Sequence, residues 1–257
     1  MGTPGAAHRR RAPRRGGPGV AHGTTRSSLL LGALPPDDLV TLIEGSHGLT
    51  GRRGDRLAAR TDDAVTVILH GVAAARTSTI DGEHTIHSLR GPGDVHGLTV
   101  ALGHPEAGDE LVAVDQVDAL VLPGGHVRDL VALLPSVTRA AVAVIANELA
   151  ALRVEEARFA SRSASYRIEH RLLELADRFG ERDGARILVT LALTQEELAS
   201  WARTSRESAA KALHDLRVAG IVTTGRRELI VEDLPALRRR HDGGPDRTVA
   251  ALMRAIG

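Results

Sequence analysis

The stretch from Leu193 to Val231, LTQEELASWARTSRESAAKALHDLRVAGIVTTGRRELIV, is compatible with very few folds. Thr194 is followed three residues later by Glu197. In that pairing each side chain satisfies a backbone N–H at the start of a helix. Leu198, Trp201 and Ala202 give this first helix an apolar face, and it is expected to end near Arg203. Ser205 is placed to cap a second helix, in which Ala209, Ala212, Leu213 and Leu216 keep helical spacing until Gly220 stops it. Ile221 to Thr224 and Leu229 to Val231 flank Gly225-Arg226-Arg227 and read as a hairpin. Two short helices around a tight turn, followed by a β-hairpin, make a winged helix-turn-helix.

The residues on the second helix suit DNA. Arg206, Glu207 and Lys211 lie in its N-terminal half, where a recognition helix meets base edges. Arginine matches guanine O6 and N7, glutamate accepts from cytosine N4, and lysine reaches guanine or phosphate. Thr194, Gln195, Ser205 and Ser208 at the two helix starts and Arg226 and Arg227 at the hairpin complete the expected contact set. The competing structural reading is a small helical domain with a solvated charged face. Six basic and five acidic residues lie between 194 and 231, so bulk charge does not choose between the two. The motif pattern favours DNA.

This stretch resembles the C-terminal domain of the Crp–Fnr family, the cyclic-AMP receptor type of bacterial transcription regulator. The resemblance rests on Leu193-Thr194-Gln195-Glu196-Glu197-Leu198-Ala199, Ser205-Arg206-Glu207-Ser208 and Gly220-Ile221. It implies base reading by Arg206 and Glu207, and a half-site related to GTGA. The family's second base-reading arginine falls on Lys211, which keeps the charge and loses the planar fork. A palindromic double-stranded DNA site, a homodimer and contact with RNA polymerase are the partners it implies.

Composition sets bounds on the rest. The chain has 257 residues, enough for two modest domains. Aromatic residues are only 2%, so the cores must be aliphatic. The absence of cysteine excludes disulfides, thiolate metal sites and cysteine-held iron–sulfur clusters. Charge is uneven. Residues 1–28 carry six Arg and no acid, residues 29–133 seven basic and fifteen acidic groups (7 − 15 = −8), and residues 134–257 twenty basic and seventeen acidic groups (20 − 17 = +3). An acidic sensor joined to a mildly basic DNA-binding domain fits that balance. No apolar run approaches eighteen residues, so no membrane span is expected, and a cytoplasmic, nucleoid-associated location follows. Neither a nucleophile elbow, a P-loop, a dinucleotide fingerprint nor a zinc-protease motif occurs, which argues against an enzyme.

Residues 1–28 form an Arg/Gly/Pro-rich tail expected to be disordered, read either as a basic arm on DNA phosphates or as dispensable. Residues 29–134 open with a helix from Leu34 to Ile43. They continue with short apolar runs, Val65–Leu69, Val72–Ala75, Thr85–Leu89, Leu111–Val114 and Ala119–Leu122, separated by Gly- and Asp-rich turns. That spacing predicts an antiparallel roll or sandwich. It resembles the β-roll of cyclic-nucleotide-binding domains at Gly71, Gly91-Pro92-Gly93-Asp94, Gly97 and Pro123. Residues 135–163 form a long helix and hinge in which Thr138, Val142, Ile145, Leu149, Leu152, Glu156 and Phe159 recur at steps of four and three. Such a heptad seam suits pairing with a second copy, with Val142, Ile145, Leu149, Leu152 and Phe159 as the apolar contacts. Residues 164–257 contain the winged helix-turn-helix. The fold class is therefore α+β: an antiparallel β-roll, a long dimerisation helix and a C-terminal winged helix-turn-helix.

Departures from the family concern the effector. A cyclic nucleotide needs a cation for its phosphate and an acceptor for its ribose hydroxyl. The resemblance places these at an Arg-Ser pair and at a Glu after a Gly. Here Gly97 is followed by Leu98, and Ala107-Gly108 occupies the Arg-Ser position. No Arg lies between Arg90 and Arg128, and Glu106, Asp109 and Glu110 would repel phosphate. Leu152-Arg153 stands where the cyclic-AMP receptor has its adenine-contacting pair. The pocket is read as degenerate, with cAMP and cGMP expected not to bind and no cofactor expected. Six histidines, His70, His84, His87, His96, His104 and His126, raise the question of haem or a metal. His84 and His87, three apart in a strand, point to opposite faces, and no metal-ligand spacing occurs. Control by an unidentified small ligand or haem also fits the architecture, as does a helix-turn-helix that acts through protein partners.

Overall fold

A computed structural model of the chain describes residues 28–78, 84–104, 109–191, 193–225 and 228–243. Helix α1 (Pro36–Ile43) precedes eight strands, β1 (His47–Gly51), β2 (Arg56–Ala58), β3 (Ala64–His70), β4 (Ala73–Ser78), β5 (His84–Arg90), β6 (Val95–His96), β7 (Glu110–Ala113) and β8 (Val117–Pro123). A short helix α2 (Leu98–Ala101) sits between β6 and β7. The strands form two antiparallel sheets ordered β1-β8-β3-β6 and β2-β7-β4-β5, a roll in which neighbours in space are distant in sequence.

Residue alternation explains how the roll is covered. In β3, Val65 and Val67 face helices, while Ile68 faces the roll interior with Leu57, Ala73, Ala75, Leu111, Ala113, Val117 and Ala119. Both faces of that strand are buried from Val65 to Ile68, which accounts for a run interrupted only by Thr66. The outer face of the second sheet, through Val72, Ala74, Ile86, Leu89 and Val114, joins the core of the C-terminal half. Helix α3 (Gly124–Leu133) then packs Val127 and Leu130 on the first sheet.

Helix α4 (Pro135–Phe159) runs for 25 residues. One stripe of its first half, Val137, Ala140, Ala141 and Val144, is buried against the roll. Ser161, at φ 62, turns the chain, and Ser163 caps α5 (Ala164–Phe179) by accepting from the backbone N–H of Tyr166. Strands β9 (Glu181–Asp183) and β10 (Arg186–Val189) follow, then α6 (Gln195–Trp201), α7 (Arg206–Val218), the hairpin β11 (Val222–Gly225) and β12 (Glu228–Val231), and α8 (Leu234–Asp242). The order β11-β12-β10-β9 makes the wing part of a four-stranded antiparallel sheet.

Several expectations change. Neither strand β9, before the helix-turn-helix, nor helix α3 was anticipated. Phe159, assigned to the dimer seam, turns into its own chain at 5% exposure and meets His170 edge-on. The heptad phase places it outward, but α5 folds back over the last turn of α4 and captures the ring. Among the described residues, no single helix is long and apolar enough to cross a membrane.

Burial has a consequence for pH. His96 is 8% exposed, with Nε2 3.1 Å from the Asp109 carbonyl oxygen, and burial together with nearby Arg90 pushes its pKa down to about 4. An unfolded histidine protonates near pH 6.5, so stability is complete above that value and falls as pH drops towards 4. Between pH 6.5 and pH 5 this histidine alone should cost about 2 kcal/mol. Denaturant midpoints at pH 7.5 and pH 5 check this, and the difference should shrink in His96→Gln.

Candidate nucleic-acid interface

The helix-turn-helix is built by local hydrogen bonds. Thr194 Oγ1 accepts from the Glu197 N–H at 3.1 Å, and Glu197 Oε2 accepts from the Thr194 N–H at 2.7 Å, forming the reciprocal cap. Ser205 accepts from the Ser208 N–H at 3.2 Å and starts α7. Gly220 ends it at φ 67, with the Ile221 N–H donating to the Leu216 carbonyl at 3.0 Å, the left-handed close that favours glycine. Ala209, Ala212, Leu213 and Leu216 are buried against α5 and α6, fixing which face of α7 turns outward.

Arg206, Glu207 and Lys211 occupy that outward face, all exposed and without a hydrogen-bond or ion-pair partner among the described residues. Thr194, Gln195 and Ser205 are also exposed, and Ser208 is half-buried. The geometry adds His214 and Arg217, both exposed on α7, with Arg217 reaching Thr224 Oγ1 of the wing at 3.4 Å. Sequence reasoning passed over them, although His214 lies one helical turn beyond Lys211. Arg226 and Arg227 lie outside the described residues.

A second cluster was also missed. Arg171 of α5 is 2% exposed, its guanidinium carbon 4.8 Å from the Phe159 ring centroid and 4.4 Å from that of Trp201. It donates to the Trp201 carbonyl at 3.1 Å, to Glu174 at 2.9 Å and to Glu155 at 2.7 Å. Its place on the apolar stripe of Ile168, Leu172 and Leu175 was the available sign of burial. Beside it, His170 and His241 share a 3.1 Å hydrogen bond, and burial holds both below the ordinary histidine range.

In the roll, Gly97 adopts φ 83 where a Cβ would strike the Ala64 carbonyl oxygen. Leu98, the residue after it, is 3% exposed and packs with Val65, Val67 and Val95. Ala107 and Gly108 lie outside the described residues. Leu152 and Arg153 are exposed on α4. Three of the roll's other histidines are engaged: His84 with Ser78, His87 with Thr77 and His126 with the Thr41 carbonyl. Among the described residues no group of three His, Asp or Glu side chains could hold a metal ion.

A β-roll, a long helix and a winged helix-turn-helix whose recognition face carries free Arg, Glu and Lys define a one-chain transcription regulator with a sensor-like front domain. The sequence profile of the Crp-like helix-turn-helix domain matches residues 166–240. The CRP-like cAMP-activated global transcriptional regulator of Mycobacterium tuberculosis is 27% identical over 207 residues, 80% of this chain and 92% of the relative. A CRP-family transcriptional regulator from Thermus thermophilus superimposes with a TM-score of 0.63 at 24% identity, covering 76% of this chain and 97% of that one. FixK2 from Bradyrhizobium japonicum gives 0.64 at 18% identity, over 76% and 96%. Residues 166–240 thus carry a Crp-like helix-turn-helix domain, and over most of its length the chain is similar to transcription regulators of the Crp–Fnr type.

Proposed function

We propose that the chain acts in the cytoplasm as a homodimer on two-fold symmetric DNA, reading base edges through Arg206, Glu207 and Lys211. The observation that carries this reading is the division of α7. One face is buried apolar surface, and the other offers a guanidinium, a carboxylate and an ammonium with no partner among the described residues. Two half-sites related to GTGA, about one helical turn apart, fit the recognition helices of a two-fold dimer. Thr194, Gln195, Ser205 and Ser208 fit phosphate contacts that set register. Gel shifts with such a palindrome and with a scrambled duplex test it, and equal retardation of both would defeat base reading.

The seam offered for dimerisation is Val142, Ile145, Leu149 and Leu152, which share one side of α4. Val142 is 60%, Leu149 47% and Leu152 50% exposed, and the spacing of three and four is that of a paired helix. The boundaries at residues 28, 134 and 163 separate tail, roll, dimer helix and DNA-binding domain in this reading.

The same proposal has the regulator indifferent to cAMP and cGMP. Leu98 stands where a ribose acceptor is needed and is held in the core, and the roll between Arg90 and Arg128 has no arginine to face a phosphate. Without a charge-assisted bidentate contact the strongest available interaction is missing. Calorimetry with either nucleotide at about 1 mM should show no heat of binding, whereas a dissociation constant near 1 μM would mean at least about 8 kcal/mol of recognition and defeat it.

A further inference from the structure

We propose that a chain of six alternating charges, Asp94–Arg178–Glu174–Arg171–Glu155–Arg203, sets the position of the recognition helix relative to the roll and the dimer helix, with Glu155 as its positioning residue. The proposal rests on the reading of α4 as the dimer helix and α7 as the DNA reader. Its links are short and continuous. Asp94, in the turn before β6, meets Arg178 at 2.6 Å, Arg178 meets Glu174 at 3.0 Å, and Glu174 meets Arg171 at 2.9 Å. Arg171 meets Glu155 at 2.7 Å, and Glu155 meets Arg203 at 3.2 Å.

The two ends explain the role. Asp94 belongs to the roll and also accepts from the Gly91 N–H at 2.8 Å, so it holds the shape of that turn. Arg178 donates in addition to the Leu89 carbonyl at 3.0 Å, binding α5 to the roll's edge. At the other end Arg203 lies in the turn between α6 and α7, at φ 51. That left-handed conformation is one a residue with a side chain seldom adopts. Here the side chain tethers the turn to Glu155, three residues beyond Leu152 on α4. Arg171 holds the last carbonyl of α6, at Trp201, from the same carboxylate. The end of α6 and the entry to α7 are thus both referred to one atom on the dimer helix, Glu155 Oε1.

Glu155 can be neutralised without emptying the core. Arg171 keeps Glu174 as a counter-charge and stays between its two rings, while Arg203 loses its ion-pair partner. The consequence falls on geometry between the two recognition helices of a dimer, not on the reading surface of one. Binding a palindrome joins two half-site contacts, and that advantage is lost when the second helix is out of register.

The experiment compares affinity for a palindromic duplex and for a duplex carrying a single half-site. In Glu155→Gln the palindrome affinity should fall about tenfold, with the half-site affinity unchanged and the dimer intact by sedimentation. Asp94→Asn, at the roll end of the chain of charges, should move the ratio in the same direction, and Asp177→Asn, which removes the separate Arg238 pair, should leave it alone. Arg203→Gln cuts the same tether away from the buried Arg171 and is the variant to read should Glu155→Gln melt early. Equal losses on both duplexes, or no change on either, would overturn the proposal. A wild-type protein with no preference for the palindrome would overturn the dimeric reading itself, visibly before any variant is made.

Discussion

Leu149→Asp is expected to convert the dimer to a folded monomer and to abolish palindrome binding with it. The substitution places one carboxylate from each chain at the centre of the seam, where pairing would bury both without a cation. An uncompensated buried charge costs about 3–5 kcal/mol, enough to weaken association by roughly two to three orders of magnitude or more. Folding should survive, because Leu149 is 47% exposed in the single chain and the stripe that anchors α4, Val137, Ala140, Ala141 and Val144, lies on another side. Val154 supplies the control. It is 46% exposed, yet at 100° per residue it falls away from the line through Val142, Ile145, Leu149 and Leu152. Val154→Asp should therefore leave sedimentation unchanged. A dimeric Leu149→Asp protein would place the interface elsewhere.

What could be read from the sequence depended on how local the cause was. The starts of α6 and α7 and the end of α7 were legible, because Thr194 with Glu197, Ser205 and Gly220 act on backbone groups within three or four residues of themselves. Helix α3 was not. It opens on Gly124-Gly125-His126 after Pro123, with no side-chain cap, and it exists because Val127 and Leu130 are buried and His126 bonds to the Thr41 carbonyl at 2.9 Å. Strands β1, β2 and β6 are similar. Their few residues carry little pattern, and they are formed by pairing with β8, β7 and β3.

The candidate site divides in the same way. Glu207 and Lys211 follow from helical phase, since the apolar residues of α7 dictate which side is free, and Arg206 is exposed because it stands first in the helix. Phe159 misled for a reason of that kind. Its phase continues the seam, but the chain reversal at Ser161 brings α5 over it, an event recorded nowhere near residue 159 in the pattern. Arg171 escaped notice because an arginine on an apolar stripe is ordinarily drawn outward by its charge. It stays inside because two carboxylates, a carbonyl and two rings, from three helices, surround it.

Arg206→Ala should relax sequence discrimination as well as weaken binding. Arg206 is the first residue of α7 and has no partner among the described residues, so its removal leaves no orphaned group and little cost to folding. On the proposed reading it should lose a bidentate contact to a guanine edge, about 1–3 kcal/mol for each half-site and about twice that over a symmetric site. The loss should be confined to duplexes with the matching base. On a duplex substituted at that position the wild-type protein is already weakened, and the variant should bind it nearly as well. Lys211→Ala is the comparison, because an ammonium recognises a direction less strictly than a planar fork. Its effect should be spread more evenly over sequences and should flatten the salt dependence by about one counterion per half-site. The two are separated by measuring affinity for every single-base variant of the half-site at two salt concentrations. If Arg206→Ala weakened all of them by one common factor, Arg206 would be a phosphate contact, and base reading by the first turn of α7 would have to be given up.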